Sequence, residues 1–198
     1  MKKIYLIFLI LLTSCETLSK PFDDQHIVLN AKTEAVIAKI GNGTKIKVSV
    51  VSEVDSGNVI GHRIQPNING DMQGKVFIKN DPKEVIKQQI EEQLKLGGFS
   101  LSENRYDKKL DSKLIYLNYR TKGGGLNPTI VCRIALKLNL SDQRGKNIYS
   151  QWYFVNDDFG IEGRGDSEIT TNNINSAVNE LISKMLSDGE LIKNLTRK

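Results

Sequence analysis

Two thiols, two imidazoles and a scatter of carboxylates are the groups in this 198-residue sequence able to do covalent, acid–base or metal chemistry. Cys15 stands directly behind an apolar run, in Leu11-Leu12-Thr13-Ser14-Cys15-Glu16. A thiol placed there is a candidate nucleophile. Cys132 sits differently, in Thr129 to Leu140. Ile130, Cys132, Ile134, Leu136, Leu138 and Leu140 share one parity there, while Thr129, Arg133, Lys137 and Asn139 share the other. That is the period of a half-buried strand, so Cys132 reads as a small core hydrophobe and Arg133 points away from it.

The remaining candidates do not assemble into a catalytic or metal constellation. His26 and His62 are the only histidines, and neither a His-x-x-x-His nor a Cys-x-x-Cys spacing accompanies them, so no zinc site can be built. Asp158-Phe159-Gly160 imitates a kinase magnesium motif without the catalytic loop or the strand lysine that the chemistry requires, and a hairpin end explains it. Asp157, Asp158 and Glu162 offer a weak calcium site at most, because the EF-hand spacing is missing. The glycine-rich Gly41-Asn42-Gly43 and Gly123-Gly124-Gly125 precede no phosphate-binding helix. No Gly-x-Ser-x-Gly elbow is present. The expectation is no enzyme, no metal and no cofactor.

Two stretches suit binding better. Ser52 to Ile64 concentrates Asp55, Asn58, His62 and Arg63 behind a hydrophobic run, which makes either a solvated turn or a recognition loop. Ser150 to Asp157 places Trp152 and Phe154 on one parity and Tyr153, with Tyr149 before it, on the other. One set belongs to the core. The other is a candidate contact patch, and Tyr149, Trp152 and Tyr153 are its candidate members.

The leader gives the clearest signal. Lys2 and Lys3 form a charged start, Ile4 to Leu12 an apolar stretch, and Thr13 and Ser14 a small-residue cut site. The apolar stretch is about half the ~20 residues of a spanning helix. Leu12-Thr13-Ser14-Cys15 resembles the lipobox of bacterial lipoproteins. That resemblance implies a diacylglyceryl group on the Cys15 sulfur, cleavage before Cys15, and anchoring through several acyl chains. Each buried methylene contributes ~0.8 kcal/mol, so two or three chains hold effectively irreversibly. Glu16 in the next position, by resemblance to the enterobacterial sorting rule, implies the outer membrane.

Without Lys2 and Lys3 the formal charge falls from +5 to +3. That mild surplus, with no basic block and no aromatic-basic platform, argues against nucleic acid and is compatible with anionic headgroups.

The order of elements completes the reading. Residues 1–14 read as signal peptide, 15–25 as the lipidated cysteine and a polar tether, and 26–198 as one folded domain. About ten extended tether residues reach at most ~35 Å. Short β-like runs at His26 to Ala31 and Glu34 to Ile40 lead to a turn and a strand carrying Ile46, Val48 and Val50. Further strands are expected over Asn58 to Ile64 and Lys75 to Lys79. A helix follows, with Asp81 as N-cap, Pro82 in its first turn and Glu84 at capping-box spacing, closing at Gly97-Gly98. Strands at Lys113 to Arg120, Thr129 to Leu140 and Asn147 to Asp157 precede a second helix after Thr171. Ser187-Asp188-Gly189-Glu190 breaks that helix before a short final turn. The fold class is α+β: one domain, a largely antiparallel sheet, and two main helices on one face.

The lipobox, Val54-Asp55-Ser56-Gly57-Asn58-Val59-Ile60-Gly61, the helix ending in Leu94-Lys95-Leu96-Gly97-Gly98-Phe99, Leu114 to Leu126, and the helix from Ile174 to Leu195 together resemble the YajG family of proteobacterial outer-membrane lipoproteins. Where that family tends to carry Arg two residues after the Asp, Gly57 stands here. The resemblance implies an α+β domain on the periplasmic side of the outer membrane and no catalytic residues. The expected role is a non-enzymatic binding or structural envelope protein, held to the membrane through Cys15, whose partner is another envelope protein or peptidoglycan. The alternative is a lipid- or small-ligand-binding domain.

Overall fold

The computed structural model describes residues 24–34, 37–65, 72–122, 129–160 and 167–197. Its strands are β1 (Gln25–Ile27), β2 (Lys45–Ser52), β3 (Val59–Gln65), β4 (Met72–Ile78), β5 (Ser100–Leu101), β6 (Lys108–Lys122), β7 (Thr129–Asp142) and β8 (Asn147–Gly160). The helices are α1 (Pro82–Leu96), α2 (Ser167–Leu186) and α3 (Gly189–Thr196). The fold is α+β, as expected. The second helix starts four residues earlier than Thr171 suggested.

All eight strands form one sheet whose spine is the long β6. One edge of β6 carries β7 along its whole length, with β8 beyond. The other edge is shared, the first half of β6 pairing with β2 and residues 119–120 with β3. The sheet is mixed rather than largely antiparallel. β6–β7, β7–β8 and β3–β4 are antiparallel, while β1–β4, β2–β5, β2–β6 and β3–β6 are parallel. The reason is α1, which carries the chain back to the end from which β2 began, so that β6 enters beside β2 in the same direction. Gly61 permits the β3–β6 contact, since a Cβ there would lie 1.5 Å from the Tyr119 carbonyl oxygen.

Helices α1 and α2 touch each other and cover one face of this sheet. Asp81 accepts the backbone N–H of Lys83 at 3.0 Å and Pro82 opens α1, as expected. Gly98 takes φ +84°, the left-handed stop that the Gly97-Gly98 pair predicted. Ile86, Ile90 and Leu94 of α1 are sealed in one core with Ile46 and Val48 of β2, Leu136 and Leu138 of β7, and Ile174, Val178 and Leu181 of α2. Cys132 belongs to that core. Burial pushes its thiol up to about 12, with the Asp157 carboxylate adding to the shift, so it stays protonated and inert.

Of the run expected from His26 to Ala31 only His26 and Ile27 lie in a strand, β1, and of that from Glu34 to Ile40 the described residues lie in none. Instead residues 28–33 lie along the α1–α2 side, and side-chain amides satisfy their backbone. Asn80 both donates to and accepts from Leu29, at 2.9 and 2.8 Å. The Thr33 N–H donates to Gln89 at 2.8 Å, and Gln93 donates to the Thr33 carbonyl at 2.8 Å. Asn175 of α2 accepts from Asn30 at 2.9 Å. These bonds, buried at Thr33 and exposed at Asn30, replace a ladder.

Candidate functional site

Alternation along β8 decides which aromatic side chains reach solvent. Tyr153 lies opposite Leu136 and Tyr149 opposite Leu140, both on the helix-covered face, whereas Trp152 and Phe154 lie opposite Lys137 and Ala135 on the other. Tyr149, Trp152 and Tyr153 therefore do not form one patch.

The two tyrosines are taken up by the end of α2. Tyr149 Oη donates to Asp188 Oδ2 at 2.5 Å, Tyr153 Oη donates to the same oxygen at 2.8 Å, and the two hydroxyls lie 3.0 Å apart. Asp188 Oδ1 accepts the N–H groups of Glu190 and Leu191 at 2.9 and 3.2 Å, capping α3. Burial pushes the Asp188 carboxyl up, but the tyrosine hydroxyls and these N–H groups outweigh it and hold it below its usual range. Burial raises both tyrosines: the Asp188 bond adds to this at Tyr149, and Tyr149 and then Asp188 at Tyr153. The arrangement is a structural clamp.

The helix-free face carries the exposed aromatics. Trp152, 43% exposed, stacks on Phe154, 52% exposed, with ring centroids 5.9 Å apart and planes within 5°. Lys137 Nζ sits 5.6 Å from the Trp152 ring centroid. Tyr116 follows on β6, opposite Ala135. Its position there depends on a bulge between Leu114 and Tyr116, which leaves Leu114 and Leu117 buried and turns Tyr116 outward. That bulge breaks simple parity and is why reading β6 by alternation misses Tyr116. Phe154 needed no such help.

The Asp55–Arg63 stretch splits into a turn and a strand. Gly57 takes φ +82° and donates its N–H to the Ile78 carbonyl at 2.6 Å, while the Asn58 N–H reaches the Asp55 carbonyl at 3.3 Å. Asp55 and Asn58 are exposed there. His62 is exposed within β3, between Lys75 and Arg120. Arg63 lies in β3 opposite Gly74, and its side chain lies outside the described set. Among the described residues no hydrogen bond or ion pair joins His62 to Asp55 or Asn58. Cys15 lies outside the described residues.

Of the carboxylates offered for calcium, Asp157 is engaged and Asp158 is exposed. Asp157 hydrogen-bonds to Glu180 of α2, which raises the Asp157 carboxyl to about 6, with burial contributing. Glu180 is lowered, first by that bond and then by its ion pair with Lys184. Below about pH 6 Asp157 therefore holds the shared proton and Glu180 the charge. Glu162 lies outside the described residues, among which no His, Cys, Asp and Glu cluster suited to a metal occurs. A polar cleft of about 580 Å³ opens where Asn42, Thr44, Lys108 and Arg144 meet. Its two acids serve the fold: Asp107 accepts from the Lys45 N–H, and Asp142 from Arg144 and Lys146.

Among the described residues no helix is long and apolar enough to cross a membrane. The fold and the site define a single α+β domain with one covered and one open sheet face. A family model described as uncharacterized lipoprotein matches residues 67–196. The chain belongs to that lipoprotein family, as the YajG-like order of its segments implied. It is similar in fold to a crystal structure of protein XCC0632 from Xanthomonas campestris, of the DUF330 family. That likeness has a TM-score of 0.61 and 9% identity, and covers 85% of this chain and 96% of the other. A minor lipoprotein from Acinetobacter baumannii aligns with a TM-score of 0.46 and 9% identity over 79% of this chain and 95% of its own. No curated protein sequence matches the chain.

Proposed function

We propose that this lipoprotein is a non-enzymatic envelope protein, anchored in the outer membrane through Cys15, whose domain faces the periplasm and works by surface contact. The observation that carries the reading is the open sheet face, where Trp152 and Phe154 stack in solvent beside Lys137. Large exposed aromatics are the usual anchors of a contact surface. Membership of the lipoprotein family supports the anchor, and the Glu16 position and the YajG-like resemblance support the outer membrane.

The alternative of an apolar ligand slot between helices and sheet has weaker support. Ile86, Ile90 and Leu94 of α1 and Ile174, Val178 and Leu181 of α2 are without exposure, packed against the sheet.

Photocrosslinking in intact cells tests the contact reading. A photoreactive residue at Phe154 is expected to give reproducible adducts with an envelope component, whether another envelope protein, peptidoglycan or lipid. The same residue at exposed Glu84 of α1 should not. Equal labelling from both positions overturns the reading. Cys15→Ala should leave uncleaved precursor without fatty-acid label, and persistent labelling of that variant overturns the anchor.

A further inference from the structure

The sheet's open face is apolar and cationic at once. Among the described residues, five of the seven exposed large apolar side chains lie there: Val51, Val59, Tyr116, Trp152 and Phe154. Lys75, Arg120, Arg133 and Lys137 occupy the same face. Asp158, opposite Val131, is an exposed acid on this face, while the other acids on or beside it are engaged. Asp111 pairs with Lys109 at 2.9 Å, Glu53 with Lys113 at 2.5 Å, and Asp24 accepts the Lys75 N–H at 2.8 Å. Two copies of such a face would repel each other, so a face-to-face dimer is disfavoured. An anionic surface is complementary to it.

Anchoring places one within reach. The chain enters the fold at β1, an edge of the same sheet, and nine residue steps separate Cys15 from Asp24. Those steps span at most ~32 Å. From β1 through β4, β3, β6 and β7 to β8 is five strand spacings, about 24 Å along the sheet. The tether can therefore place the acyl chains beneath the part of the face around Phe154, about three residues along β8 from the level of β1, and it leaves the domain free to lie down. Trp and Tyr rings backed by Lys and Arg are the side chains that settle at a headgroup interface.

Resting on the anchored-contact reading above, we propose that the surface met by this face is the bilayer itself. Trp152 and Phe154 enter the headgroup layer, and Arg133, Lys137 and Arg120 meet anionic phospholipid.

Trp152 is the only tryptophan in the chain and reports its own burial. The lipidated full-length protein would be reconstituted in phosphatidylethanolamine vesicles with and without phosphatidylglycerol. With phosphatidylglycerol, Trp152 emission is expected to shift to the blue and to lose most of its intensity to brominated lipid. Both effects should shrink severalfold in 1 M salt, where the Debye length is about 3 Å. They should shrink likewise in Arg133→Glu/Lys137→Glu, at one exposed and one half-buried position of the open face, with folding checked by thermal unfolding.

A Trp152 that stays water-exposed in protein firmly held by its lipid overturns the proposal while leaving the anchor standing. Shielding that appears only on adding envelope proteins overturns it too, and leaves the contact reading in place with a protein as partner.

Discussion

The two faces of β7 and β8 are built from neighbouring residues of the same strands and have opposite fates. Ile134, Leu136 and Leu138 vanish beneath α2, while Lys137, one residue away, lies over an exposed Trp152 ring. Tyr153 is 7% exposed and Phe154 52%, though the two are adjacent. Side-chain chemistry does not separate them, since tyrosine is the more polar of the pair and is the one inside. What separates them is a partner. Asp188 waits for the tyrosine hydroxyls on the covered side, while on the open side Phe154 has the Trp152 ring beside it and remains half exposed. A buried hydroxyl is tolerated only with such a bond.

This contrast can be broken most severely from the covered side. Ile134→Ala removes a side chain of no exposure and should cost about 2–5 kcal/mol in urea unfolding. Phe154→Ala should stay within about 0.5 kcal/mol. Equal losses would mean that the open face is also part of the core. Asp188→Ala removes both tyrosine bonds and the cap of α3, and about 2 kcal/mol should go with them. Tyr153→Phe should recover much of the stability lost to the orphaned hydroxyl in that background, and the double variant measures it.

The sealed face also has a flaw. Ser112, between Val50 and Leu138, is buried, and its hydroxyl has no hydrogen-bond partner among the described residues. Ser112→Ala is expected to stabilise the domain by about 1 kcal/mol, and a loss of similar size would point to an unrecognised bond.

The smallest effect is confined to acidic pH. Because the Asp157 carboxyl is raised from 3.8 to about 6, its contribution is full below about pH 4 and is lost as pH rises through 6. Glu180 is lowered, so its share runs the other way and is lost only as pH falls well below its ordinary range. Urea midpoints measured at pH 4.5 and 7 should therefore differ less in Asp157→Asn than in the native protein. An unchanged difference would assign the pH dependence to other groups.

Much of the architecture is legible in local pattern. Asp81, Pro82 and Gly97-Gly98 bound α1 within the sequence itself, because caps and left-handed stops are made by the residues that stand there. The shared parity of Ile130, Cys132, Ile134, Leu136, Leu138 and Leu140 likewise defines β7 and buries Cys132, although Val131 and Ala135 on the other parity are buried too. The mixed pairing of the sheet is a different matter. β2 and β6 lie parallel because the chain returns through α1, a relation between segments more than fifty residues apart in which neither strand's composition takes part. Residues 28–33 escaped for a related reason: their backbone partners are Asn80, Gln89, Gln93 and Asn175, all distant. Gln89 and Gln93, one turn apart on the buried side of α1, were the available clue.

For the candidate site the division is sharper still. Sequence determines that Trp152 and Phe154 share one parity and Tyr149 and Tyr153 the other, since side chains in a strand alternate whatever surrounds them. It determines that Leu12 to Cys15 has the form of a lipidation signal, because that signal is read as a linear motif. Which parity faces water was decided only when α2 and α3 packed on one side and brought Asp188 to the tyrosines. The bulge before Tyr116 was decided there too, by the need to keep Leu114 and Leu117 both inside. Alternation is a property of the strand; burial is a property of what covers it.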